Sequence, residues 1–241
     1  RPGSGPAGFV AAGSAGAPLP RVNVTARDTP ASLSVRLRTG VPAPLPANVL
    51  SLPWRAVGGR CSVGKQGIDV TAQAFALCTV VANGDRWANY RLSVSFAGRA
   101  GTTAIIELRA SRAGAIEIAV GASTVSVKER IGDTWHRLQR LRVPPPAENA
   151  SAPAAKPPPS LIGGGTVQLS ITLHASELSL SLRVRPASAR PGETRLAADD
   201  SIRISEPLAV QVRDGVIAFG MVGPGTPATV AFRQVTTVSA P

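Results

Sequence analysis

Two cysteines, Cys61 and Cys78, stand 17 residues apart in a chain of 241. Two thiols cannot supply a four-ligand zinc site, and the spacing is not the C-x-x-C of a dithiol redox centre. The pair is suited to one structural disulfide across what reads as a β-hairpin, with two buried free thiols as the alternative. A disulfide implies an oxidising, extracytoplasmic compartment, periplasmic or cell-surface. Hydrolytic chemistry finds less support. His136 and His174 are the only histidines, and no serine lies in a G-x-S-x-G elbow. Glu107 and Glu117 stand on separate segments, and the neighbours Asp199 and Asp200 point to opposite faces if extended. None is expected to have a partner placed for acid–base work. Gly163-Gly164-Gly165 lacks the Lys-Ser/Thr that phosphate cradling requires. The expectation is no catalytic residue, no metal site and no cofactor.

Binding chemistry is better represented. Trp135 is followed by His136, Arg137, Arg140 and Arg142, an aromatic ring among cations that can meet a phosphate, a carboxylate or a partner's acidic edge. A tryptophan covering a sheet edge among solvated arginines is the alternative. The chain holds 26 basic and 14 acidic side chains, a formal charge of +12, spread along its length rather than gathered in a block. Diffuse positive charge favours encounter with anionic surfaces, a membrane or glycan among them. Nucleic acid is disfavoured, because its readers concentrate basic residues and intersperse stacking aromatics, and aromatics are only 4% here.

These residues need elements to hold them. With 24 Gly and 22 Pro the chain is poor helical material, yet 44% hydrophobic residues are too many for a disordered one. No run approaches the ~18–20 apolar residues of a membrane helix. Residues 1–20 are Gly, Ala and Pro with two larger apolar anchors, Phe9 and Val10, and read as an extended tail that docks on a partner. The first residue is Arg1 rather than Met, as in a chain that has lost a leader or one cut at a boundary. Residues 21–241 read as a single β domain, interrupted by a Pro/Gly-rich loop at 144–165.

Within that domain the hydrophobic period is two. Tyr90, Leu92, Val94 and Phe96 alternate with Arg91, Ser93 and Ser95; Val167, Leu169, Ile171 and Leu173 are followed by Leu178, Leu180, Leu182 and Val184 in the same fashion. Asp214-Gly215 reads as a hairpin turn. Asp133 to Arg142 fits either a short helix or an extended segment. The count is about twelve to fourteen strands, all-β, most economically two packed antiparallel sheets.

The stretch Trp87 to Phe96, followed by AIIELRAS, GAIEIAV and VSVKER, resembles the concanavalin A-like sandwiches. Trp54, Gly58-Gly59, the Asp214 to Gly220 segment and the closing Ala231 to Val235 resemble the 3-keto-disaccharide hydrolase and laminin-G-like branch. The resemblance covers roughly residues 50 to 240 and implies a two-sheet antiparallel jelly roll with Trp54, Trp87 and Tyr90 in its core, contact with a ligand being the alternative for each. Hydrolytic relatives carry closely spaced carboxylates on one strand, a pattern this sequence lacks. Two functions are therefore expected. The first is a non-catalytic structural or accessory subunit that docks on protein subunits of a larger, membrane-associated assembly through its tail and basic loops. The alternative is a carbohydrate-binding module or sugar hydrolase.

Overall fold

The computed structural model describes residues 46, 48–81, 87–142, 162–163, 165–186, 202–208, 212 and 214–239. The expected tail with Phe9 and Val10, most of the 144–165 loop, and Asp199 and Asp200 lie outside them. The described chain is all-β, with one 3-10 turn at Val49–Ser51.

Among the described residues twelve strands run in order: β1 (Trp54–Gly64), β2 (Gly67–Val80), β3 (Tyr90–Gly98), β4 (Thr103–Ala110), β5 (Gly114–Val120), β6 (Thr124–Ile131), β7 (Thr134–Arg142), β8 (Gly165–His174), β9 (Glu177–Pro186), β10 (Ile202–Pro207), β11 (Val216–Val222) and β12 (Ala228–Ser239). All pairings are antiparallel, in the spatial order β10-β9-β8-β3-β12-β2-β11-β4-β5-β6-β7, with β1 along β2. The period-two pattern explains the layers. Leu173 pairs with Leu178 and Ile171 with Leu180, so the apolar sides of β8 and β9 coincide and are buried together.

One strand joins the two layers. The first half of β2 pairs with β12, Ile68 opposite Phe232, and the second half pairs with β11, Cys78 opposite Phe219. The ladder folds over at this strand, which brings the Phe219 and Phe232 rings to 4.9 Å between centroids. Phe96 stands 5.7 Å from Phe232 and Trp54 5.8 Å from Phe219, so an aromatic cluster fills the space between the layers.

β1 follows β2 through the fold only because its register shifts between Gly58 and Arg60. Gly58 and Gly59 have φ of 70° and 20°, and a Cβ on Gly59 would stand 2.3 Å from the Thr71 carbonyl oxygen. Glycine is required there by both conformation and space. The same bend makes the Cys61–Cys78 disulfide. Cys61 lies opposite Val70 on the β12 side and Cys78 lies on the β11 side, so the bond fastens one layer to the other.

Two sequence expectations are corrected or resolved. Asp214-Gly215 is not a hairpin turn: Gly215 forms an isolated bridge with Trp87, exchanging both backbone hydrogen bonds with it. A Cβ at Gly215 would lie 2.2 Å from the Arg109 carbonyl carbon, so the glycine permits close approach of chains rather than a reversal. Residues 134–142 are the extended alternative, strand β7, and the cations expected on a basic loop therefore stand on a strand.

Candidate functional site

The outer face of the β12-β3-β8-β9 layer carries a groove of about 370 Å³. Strand pairing builds it from two polar rungs. Ser93, Ser170 and Ser181 face one another across β3, β8 and β9, and Ser95, Gln168 and Arg183 form the next rung. Serine side chains end one atom beyond Cβ, so a run of them leaves a trough between the longer Gln168, Arg183 and Gln234. The trough presents hydroxyl, amide and guanidinium groups, a mixture of donors and acceptors.

Gln234 reaches this groove through a distortion. The β12–β3 register shifts between Arg233 and Thr236, and Gln234 has φ of 51°, a left-handed conformation that costs a non-glycine residue about 1 kcal/mol. Bulges of this kind re-aim side chains and gather beside binding sites. Ser95 Oγ donates to the Arg233 carbonyl at 3.1 Å, which holds the bulge from the neighbouring strand. In the sequence these serines read as an ordinary polar face. The available signal was the recurrence of short hydroxyl residues at alternate positions, Ser93 and Ser95, Ser170 and Thr172, and Ser179 and Ser181.

The second feature corrects an expectation. Glu107 and Glu117, read as isolated acids, are directly opposite one another on β4 and β5. Lys128 Nζ lies 2.9 Å from Glu117 Oε1, which keeps that carboxylate compensated. Glu107 has no such close cation among the described residues. Burial, then repulsion from Glu117, push its pKa above the ordinary glutamate value, and Arg130 only partly opposes this. A raised folded-state pKa favours folding when the group is protonated. That contribution is present below the ordinary glutamate range and is lost as pH rises through the raised value. Glu107→Gln is therefore expected to raise the neutral-pH thermal midpoint by roughly 2–4 °C for each kcal/mol of relieved repulsion. The advantage over the parent should vanish in acid. Melting curves at the two pH values check both parts.

The predicted cationic residues do come together. Trp135, Arg137, Arg140 and Arg142 pair with Arg130, Lys128, Ser126 and Thr124 of β6. Strict alternation would send Arg137 and Arg140 to opposite faces. The extra residue Leu138, at the register shift opposite Val127 and Lys128, returns all four to the outer face. Trp135 is 40% exposed, with Lys128 Nζ 6.0 Å and Arg130 Cζ 5.8 Å from its ring centroid. Arg130 is held beneath it by donating to the Gly132 carbonyl at 2.6 Å and the Ser111 carbonyl at 2.7 Å. His136 pairs with Glu129, off this face.

A buried arginine, with no signature in the sequence, organises the end of the sandwich. Arg109 is 1% exposed and has φ of 50°. Its Nε and Nη2 donate to the Ala88 carbonyl at 2.8 and 2.6 Å, and Nη1 donates to Ala175 at 2.8 Å and Val212 at 3.0 Å. One guanidinium thus ties the entrance of β3, the β8–β9 turn and the approach to β11. Burial lowers its pKa, while Tyr90 and Asp214 act to raise it. Burial pushes the Tyr90 phenol up. Trp87 and Tyr90 are core residues as expected, and Trp54 is half-buried with its Nε1 donating to the Val49 carbonyl at 3.2 Å. Among the described residues no group of three or more metal-ligating side chains occurs, and no helix is long and apolar enough to cross a membrane.

No protein-family model matches the sequence, and no curated protein matches it. Solved structures do match. The carbohydrate binding module CBM66 from Bacillus subtilis aligns with a TM-score of 0.53 at 12% identity, covering 78% of this chain and 96% of that one. The chain has the jelly-roll sandwich fold. An alginate lyase from Klebsiella pneumoniae aligns at TM-score 0.41 and 10% identity over 76% of this chain and 85% of its own. A galectin from Caenorhabditis elegans aligns at 0.38 and 9% over 76% and 95%.

Proposed function

We propose that this jelly roll is a non-catalytic binding module, acting as an accessory part of an extracytoplasmic assembly, and that the groove on its β12-β3-β8-β9 face takes a carbohydrate. The observation that carries the reading is the pair of polar rungs, Ser93-Ser170-Ser181 and Ser95-Gln168-Arg183, bounded by the bulged Gln234. Closely set hydroxyl and amide groups match the alternating donors and acceptors of a sugar, and Arg183 together with the +12 charge favours an acidic one. The sandwich shared with a carbohydrate binding module supports this at the level of fold. The described lining of the groove has no carboxylate or imidazole, which favours binding over hydrolysis. The described lining also has no aromatic platform, so affinity in the ~0.1–1 mM range is expected. The Cys61–Cys78 bond supports the oxidising compartment.

Affinity electrophoresis through gels containing polygalacturonate, alginate or neutral dextran tests the reading. The parent is expected to be retarded by an acidic glycan, and Arg183→Ala and Gln168→Ala are expected to weaken retardation about tenfold, the worth of one charge-assisted hydrogen bond. Retardation by no glycan, or retardation unchanged in both variants, would exclude the groove as a glycan site. The sugar hydrolase of the 3-keto-disaccharide branch is the competing reading; release of reducing ends from any of these glycans during the same incubation would overturn the non-catalytic reading, and hydrolysis of a 3-keto-disaccharide would establish that branch.

A further inference from the structure

β7 ends the sheet order, and no described strand lies beyond it. Thr134 to Arg137, Arg140 and Arg142 are exposed along this nine-residue edge. An edge of this length exposes unpaired N–H and C=O groups that can template another strand. Its outer face carries Trp135, Arg137, Arg140 and Arg142, aligned by the Leu138 bulge. Lys128 beside them is engaged by Glu117, but among the described residues no carboxylate forms a salt bridge with the three arginines.

We infer that β7 is a docking edge for an extended acidic segment of a partner protein, which adds as a strand and sets alternate Asp or Glu side chains against Arg137, Arg140 and Arg142. The inference rests on the accessory reading above and names the partner's chemistry. Two features favour a polypeptide strand. Same-face residues of an extended chain recur about every 6.6–6.8 Å, so acids at alternate positions repeat in step with cations on the facing strand. A polypeptide main chain can also pair with the β7 edge that no described strand covers, which a lipid headgroup surface has no backbone to do. Trp135 supplies an apolar stop at one end, its ring position secured by the pinned Arg130.

The probe is a ten-residue peptide alternating Glu and Thr, titrated into the whole chain by calorimetry and followed by amide hydrogen exchange. Saturable binding is expected, with slowed exchange at residues 134–142. A peptide with Pro at alternate Thr positions keeps the charge but loses main-chain donors, and should bind at least tenfold more weakly. Arg137→Glu/Arg140→Glu/Arg142→Glu should lose at least tenfold in affinity, and the milder Arg→Gln triple should also lose affinity if charge reversal impairs folding. Absence of peptide binding would overturn the inference. So would equal binding of the Pro peptide, which would mean polyanion attraction without strand pairing, or binding only to phosphatidylglycerol vesicles, which would mean a membrane surface. Retardation by glycans depends on Arg183 and Gln168, so either site can fail without the other.

Discussion

Arg109→Met is expected to lower stability by about 3–5 kcal/mol, a fall in thermal midpoint on the order of 10 °C. The guanidinium is 1% exposed and donates to the carbonyls of Ala88, Ala175 and Val212. Methionine fills much of the same space but leaves three carbonyls without their donor in a site where each unmade bond costs about 1–3 kcal/mol. Arg109→Lys keeps the charge yet cannot span the acceptors, because an ammonium is a point donor and the guanidinium is a fork. It is expected to recover less than half of the loss. Calorimetry on the three proteins decides it, and a midpoint within about 2 °C of the parent for Arg109→Met would show that the carbonyls find other partners.

Removing the disulfide is the second large effect. A bond closing 17 residues restricts the unfolded chain by about 3 kcal/mol. Its placement at the fold of β2, between Cys61 on the β12 side and Cys78 on the β11 side, means that reduction also releases the two layers where they join. The double variant Cys61→Ala/Cys78→Ala should lose a comparable amount, roughly 6–12 °C in midpoint. The groove residues lie on other strands, so glycan retardation below the transition should persist. Thermal melts with and without reductant, beside mass spectrometry of alkylated native protein, test this. Two alkylated thiols in freshly isolated material would contradict the bond and the compartment it supports.

What could be read from the sequence was whatever depends on local period. The alternation at Tyr90 to Phe96 and across residues 167–184 marks strands and their buried sides without reference to any distant residue, and the structure follows it. The cysteine pair was legible because few chemical roles suit two thiols at that spacing, and the core aromatics Trp87 and Tyr90 because the family resemblance implied them. The candidate site was legible only in fragments. Glu107 and Glu117 meet because β4 and β5 pair in one particular register, and no property of either residue announces a cross-strand neighbour. Arg140 shares a face with Arg137 because Leu138 is an extra residue, whereas alternation by itself predicts the reverse. Gln234 enters the groove through a bulge, and Arg109 binds three segments remote in sequence. Asp214-Gly215 misled because the glycine there serves chain proximity, and a turn and a close contact call for the same residue.

Sugar binding in the groove between Ser93, Ser170, Arg183 and Gln234 is open to direct observation. Two-dimensional nitrogen–proton spectra recorded while a galacturonate oligosaccharide is added report on every backbone amide along it. Shifts that saturate together at residues 93–95, 168–170, 181–183 and 234 are expected, with β7 unmoved. Shifts confined to 134–142, or none at millimolar sugar, would contradict a sugar site in the groove.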